Sequence, residues 1–140
     1  LAAILVAAGP GIPPNCVGCD FAKRDFHGAD FRGVNYVGVD LSRANLAGAR
    51  FQGASLEGVD FSRANLHDAD FRDAKLCWRQ NPSSGGDPIG CADFEDANVQ
   101  GANFRGALLC DGRDKNACSN LGAATLQRYS HSSLTGAILP

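Results

Sequence analysis

The chain has 140 residues, a formal net charge of −2 and 20% charged residues, which leaves room for one domain. This balance excludes both a strongly basic nucleic-acid-binding surface and an acidic tail. With 8 Phe and many Ala and Leu, the chain can fill a narrow, continuous core.

Residues 1–13 form an apolar N-terminal segment, "LAAILVAAGPGIP". Its apolar run ends at Gly9, too short to span a bilayer, so no integral membrane segment is expected. The run is similar to the end of a secretory signal. It reads either as a signal-like remnant or as an assembly arm with Leu1, Ile4, Leu5 and Val6 as contact residues. The chain contains no Met, consistent with processing before Leu1 or with a sequence cut short there.

From Cys16 onward, bulky residues recur at every fifth position: Phe21, Phe26, Phe31, Tyr36, Leu41, Leu46, Phe51 and on to Leu76. That period is neither the helical 3.6 nor the strand's 2, so a repeat architecture is the first reading. A small residue usually sits two positions before each bulky one, with Asp or Asn between them, and Gly often closes the unit. If the small and bulky residues point inward as in a strand, the others face water or turn the chain. A closing Gly or polar residue suits a corner with unusual backbone angles.

The unit appears as "ADFRG" at Ala29 to Gly33 and as "ANLAG" at Ala44 to Gly48. It closely resembles the A(D/N)LXX pattern of the pentapeptide-repeat family. The resemblance implies an all-β fold over residues 14–140, a right-handed quadrilateral parallel β-helix with four units in each of about five coils. Assigning units to faces in turn stacks Phe31, Phe51, Phe71 and Phe104 in one column. A second column holds Phe21, Leu41, Phe61 and Phe94.

The repeat breaks after Leu76 and after Leu109, with loop insertions at 78–90 and 111–117. Removing either insertion restores an intact repeat, so both loops are expected to leave and re-enter the coil at the same corner. Local bridges, Cys77 to Cys91 and Cys110 to Cys118, fit adjacent corner positions. The rival is a vertical pairing, Cys77 with Cys110 and Cys91 with Cys118, because coils stack about 4.8 Å apart. Cys16 and Cys19 read as a structural staple of the first coil. Cysteines so placed point to an oxidising compartment, extracellular or periplasmic, and to secretion.

Several side chains invite a chemical reading. Asp20, Asp40, Asp60 and Asp93 share a face with Lys23, Arg43 and Arg63, and a carboxylate ladder could bind Ca²⁺. Capping of each turn by its own Asp is the stronger reading. His27 and His67 lie two coils apart, about 10 Å, too far for one metal. No nucleophile arrangement or phosphate loop occurs, so neither catalysis nor a cofactor is expected. Arg24 occupies an inward, small-residue position, which requires an open first coil or a partner for its charge. Trp78, at the base of the long loop, is expected to be partly exposed, as a lid over the loop disulfide or as an interface anchor.

Three functions compete on these grounds. The first is end-to-end self-assembly into an extracellular filament or stack. Coil ends expose unpaired backbone groups, neither end shows a helical cap, and Leu134 and Leu139 would leave an apolar last coil. The second is a monomeric secreted module that binds another extracellular protein through its loops. The third, which the family resemblance permits, is a DNA mimic acting on gyrase. Outward Arg32, Arg43, Arg63, Arg72 and Arg105, together with the cysteines, argue against it.

Overall fold

The computed structural model describes residues 11–79, 90–111, 114–129 and 134–140, so the contact candidates Leu1, Ile4, Leu5 and Val6 fall outside the described residues. Six strands, β1 (Asn15–Val17), β2 (Asn35–Val37), β3 (Ser55–Glu57), β4 (Lys75–Arg79), β5 (Leu108–Asp111) and β6 (Asp114–Asn120), form one sheet in chain order. A helix, α1 (Ala123–Tyr129), comes next. Strands β1 to β5 pair in parallel, with Asn15 beside Asn35 and Asn35 beside Ser55. They make the first face of a parallel β-helix.

The remaining faces are ladders of single bridges. Asp20, Asp40, Asp60 and Asp93 stack on the second face, and Asp25, Asn45, Asn65 and Asn98 on the third. Asp30, Arg50, Asp70, Asn103 and Ile138 stack on the fourth. The square section has a local cause. In most units the Asp or Asn carboxyl or amide oxygen accepts the backbone N–H two residues on, as in Ser42 N to Asp40 Oδ1 at 2.9 Å. The small residue of the next unit then donates back to the bulky carbonyl, as in Ala49 N to Leu46 O at 3.0 Å. The last residue of the unit turns through the left-handed region, where Gly carries no Cβ penalty. At Gly101 a Cβ would also collide with the Asp68 carboxylate of the coil below.

The core is two ring columns on opposite faces. Phe31, Phe51, Phe71 and Phe104 stack nearly parallel, with centroids 4.7, 4.8 and 4.9 Å apart. Phe61 and Phe94 stack 5.1 Å apart and meet the first column edge to face, as in Phe61 against Phe71 at 5.5 Å. Edge-to-face contact suits the ring quadrupole. All six of these rings are fully buried, whereas Phe21 is only half-buried. Phe21 belongs to the first coil, and no coil below it exists among the described residues.

Bridges join Cys16 to Cys19, Cys77 to Cys91 and Cys110 to Cys118. The vertical alternative meets a register that sets Cys77 beside Leu109 and Cys110 beside Trp78. The two interruptions differ in how the chain continues. After the first, Ala92 N donates to Leu76 O at 2.8 Å, the same turn bond that an uninterrupted unit makes, and the coil resumes. After the second, β6 runs antiparallel to β5, pairing Leu109 with Ser119 and Leu108 with Asn120. The chain therefore retraces the first face instead of turning the corner. "GAATLQR" offers no Asp or Asn to cap the next turn, and its Ala, Leu, Gln and Arg favour the helix that forms.

The C-terminal end is thus closed by β6 and α1, contrary to the expectation of an uncapped end. Leu126 from α1 and Leu134 are buried in the core, which removes Leu134 from the contact candidates. The repeat resumes only at the end, where Phe104 N donates to Ile138 O at 2.8 Å and Leu139 is half-buried against the core.

Candidate interaction surface

With small and bulky positions spent in the core, recognition chemistry is confined to the outward columns. The faces differ in what those columns hold. On the third face, Asn45, Asn65 and Asn98 form a side-chain ladder, each donating Nδ2 to the residue of the coil below at 3.1, 3.3 and 3.2 Å. An amide can accept from its own turn and donate to its neighbour, which a carboxylate cannot. His27 lies 3.2 Å from Asp25, and His67 lies 3.2 Å from Asp68, each on the solvent side.

On the fourth face the Asp30 and Asp70 carboxylates are paired with arginines. Arg32 grips Asp30 through Nε and Nη2 at 2.9 and 2.8 Å, with Arg50 adding a contact at 3.4 Å. Arg72 grips Asp70 in the same bidentate way, at 3.0 and 2.7 Å. The Arg32 hydrogen bonds hold the Asp30 carboxyl below the usual range. At Asp70 burial pushes upward, but the Arg72 hydrogen bonds outweigh it and the carboxyl also ends low.

The second face carries cations that are not gripped in this way. Here the cation stands three residues after the Asp, in "DFAK", "DLSR" and "DFSR", whereas "DFR" on the fourth face places it two residues on. Lys23, Arg43 and Arg63 consequently occupy the corner itself, with φ of 63°, 58° and 58°. Among the described residues Lys23 and Arg43 have no ion pair, and Arg63 reaches Asp96 only at 4.0 Å. A groove of about 440 Å³ on this face is lined by the three cations, Asp40, Glu95, Ala22, Ser42 and Ser62. Neither serine stands out from the chain as a candidate, and the one signal for them is the twice-repeated "SRAN".

The other singled-out residues are structural. Trp78 is 3% exposed, not partly open, because β4 extends past the corner and pairs Trp78 with Cys110. It therefore packs as a lid and offers little surface as an anchor. Its Nε1, with Arg79 Nε and Gln52 Oε1, is buried without a hydrogen-bond partner among the described residues. Arg24 is exposed, its guanidinium 5.2 Å from the Phe21 ring, so the first coil is open there. Tyr36 is fully buried, donates its hydroxyl to Pro13 O at 2.9 Å, and has its pKa pushed up to about 12 by burial. Among the described residues no three His, Cys, Asp or Glu side chains converge as a metal site, and no helix is long and apolar enough to cross a membrane.

The family description "Pentapeptide repeats" fits residues 40–77 and 91–111, in 8 copies. No curated protein matches the chain. Among solved structures, a pentapeptide repeat protein from the Arabidopsis thaliana thylakoid lumen is 26% identical with a TM-score of 0.53, over 73% of this chain and 69% of that one. The plasmid-mediated fluoroquinolone resistance protein QnrB1 is 24% identical with a TM-score of 0.40, over 69% of this chain and 51% of that one. A pentapeptide repeat protein from the cyanobacterium Cyanothece is 23% identical with a TM-score of 0.33, over 73% and 58%. The matched repeats coincide with coils built on the Asp/Asn turns and stacked rings, and residues 40–77 and 91–111 are pentapeptide repeats.

Proposed function

We propose that the chain is a non-enzymatic interaction scaffold of an oxidising compartment, secreted, periplasmic or lumenal, whose lateral faces carry the recognition chemistry. The observation that supports this most is the division of labour within each unit. Two positions fill the core and a third caps its own turn, so only the residues around the corners are free to meet a partner. Bridges at each break in the repeat support an oxidising compartment, as does the lumenal address of the Arabidopsis relative. The partner is another extracellular protein or polymer, not nucleic acid. A DNA mimic needs a uniformly acidic surface, and the fourth face neutralises its carboxylates with arginines. Mass analysis of the protein from its native host, before and after reduction, should find three bridges, and light scattering should find a monomer. Free thiols, or a stacked assembly, would overturn this reading.

End-to-end assembly is the second reading. It is favoured by the first coil, where Val17 is 80% exposed and Phe21 and Phe26 are half-buried. Against it, a neighbouring first coil would meet one antiparallel strand, one helix and two repeat units instead of four matching units. Deletion of Leu1 to Pro10 tests it: a filament or stack that dissolves on deletion would support it, and a full-length monomer at high concentration would end it.

A further inference from the structure

We infer that the second-face groove is a binding site for an uncharged linear polysaccharide, a ligand class that deepens the scaffold reading and rests on it. The first ground is the composition of the groove. Its lining brings together acceptor carboxylates at Asp40 and Glu95, cationic donors at Lys23, Arg43 and Arg63, and the Ser42 and Ser62 hydroxyls. Acceptor, hydroxyl and donor in one cross-section suit a chain that is itself hydroxylated, donating to Asp and accepting from Arg. The lining sets Lys23, Arg43 and Arg63 against Asp40 and Glu95, and the second face as a whole adds Asp20, Asp60, Asp93 and Asp96, so its carboxylates outnumber its cations. A polyanion finds no net attraction there.

The second ground is translational. The set Asp, Ser, Arg occurs at Asp40, Ser42, Arg43 and again at Asp60, Ser62, Arg63, on successive coils bridged at Asp40 and Asp60. Identical chemistry on two successive coils, about 4.8 Å apart, is matched by a polymer whose own repeat is close to one coil height. A linear pyranose chain advances by close to that per sugar. An extended peptide presents same-side side chains only every two residues, about 6.6 to 6.8 Å, and falls out of step. The groove lining has no aromatic side chain on which nucleic-acid bases could stack.

The third ground is independent of both. Lys23, Arg43, Arg63 and Asp96 make this the corner where every described coil holds a non-glycine residue in the left-handed region. The other three corners use mostly Gly there, at Gly38 and Gly58, at Gly28 and Gly48, and at Gly33 and Gly53, with Asp68 and Asp73 as exceptions in a single coil. A long side chain in that conformation is disfavoured, and such cost concentrates at functional sites.

The test uses Arg43→Asn with Arg63→Asn, because Asn tolerates the left-handed corner and removes the long donors without threatening the fold. Titration of the full chain with linear hexaoses of β-1,4-linked glucose, β-1,4-linked N-acetylglucosamine and α-1,4-linked glucose should show saturable binding of at least one. The double variant should weaken it by at least about tenfold. Arg32→Gln with Arg72→Gln on the fourth face should change it by less than about twofold. Circular dichroism and melting temperature establish that both variants are folded. Binding by none of the three hexaoses overturns the inference, as does equal loss in the fourth-face control. Tighter, salt-sensitive binding of polygalacturonate or single-stranded DNA overturns it too. A folded, monomeric, fully bridged protein that ignores every hexaose would leave the scaffold reading standing, whereas free thiols or stacking would remove that reading whatever the hexaoses do.

Discussion

The coils from Phe31 to Phe71 and the stretch from Cys77 to Leu121 solve the same problem by different means. In the periodic coils, each backbone group finds its partner one coil away, as when Phe51 N donates to Asp70 O at 2.7 Å, and each Phe of the column lies on an identical ring. Where the period fails, covalent bridges, a hairpin and a helix close the chain locally. Stacking is cooperative between neighbours, so a solenoid is weakest where a neighbour is missing or displaced. The bridges sit at those places.

That contrast can be broken most severely at its centre. Phe71 touches rings above, below and across, so Phe71→Ala should cost about 3 to 5 kcal/mol in chemical denaturation. Phe21→Ala, in the half-buried first coil, should cost well under half as much. Similar losses at the two sites would show that the core is not organised as continuous columns. Removing one staple comes next. Cys77→Ala with Cys91→Ala should lower stability by about 3 kcal/mol, and the pair at Cys110 and Cys118, which closes a shorter loop, by about 2.5 kcal/mol. If the Cys77 pair proved dispensable under the same assay, the corner would be held by its turn hydrogen bonds alone.

A subtler test concerns the ring that stands where the open first coil meets the packed ones. Tyr36→Phe should cost about 1 kcal/mol at neutral pH through the lost bond to Pro13. The folded state holds the Tyr36 proton up to about pH 12, above the ordinary value of 10.0. Its stabilising contribution is therefore complete below pH 10 and lost as pH rises from there towards about 12. The wild type should lose stability across that window, and Tyr36→Phe should lose less. The smallest effect belongs to the surface. Asp30 and Asp70 have lowered pKa values in the fold, so their contribution is present above the ordinary carboxylate range and lost as pH falls through the folded values. Asp70→Asn should flatten the acid limb slightly and leave the neutral melting temperature nearly unchanged, because Arg72 is half-exposed and screened.

How much of the fold the residues announced can be judged position by position. The five-residue period, the small, Asp/Asn and bulky order, and the Phe columns were legible, because an inward side chain repeats its chemistry wherever the backbone repeats its conformation. The preserved corner at Ala92 was legible for the same reason. Trp78 was misjudged because its burial depends on β4 extending to meet Cys110 on the next strand of the sheet. Leu134 was misjudged because only the turn into α1 decides what faces the core. The second-face groove was half legible: the Asp and cation columns could be counted, but not the corner geometry that separates them.

The sequence by itself determined the period, the identity of the four faces and which residues fill them, because those arise from chemistry within a unit of five residues. Only the tertiary structure decided how the chain ends. "SNLGAATLQR" keeps enough bulk and spacing to read as another coil, yet β6 reverses against β5 and α1 forms. The choice lies between a parallel coil and an antiparallel return, which compete for the same unpaired edge of the last strand. Spacing does not distinguish them; the partners available to that edge in three dimensions do.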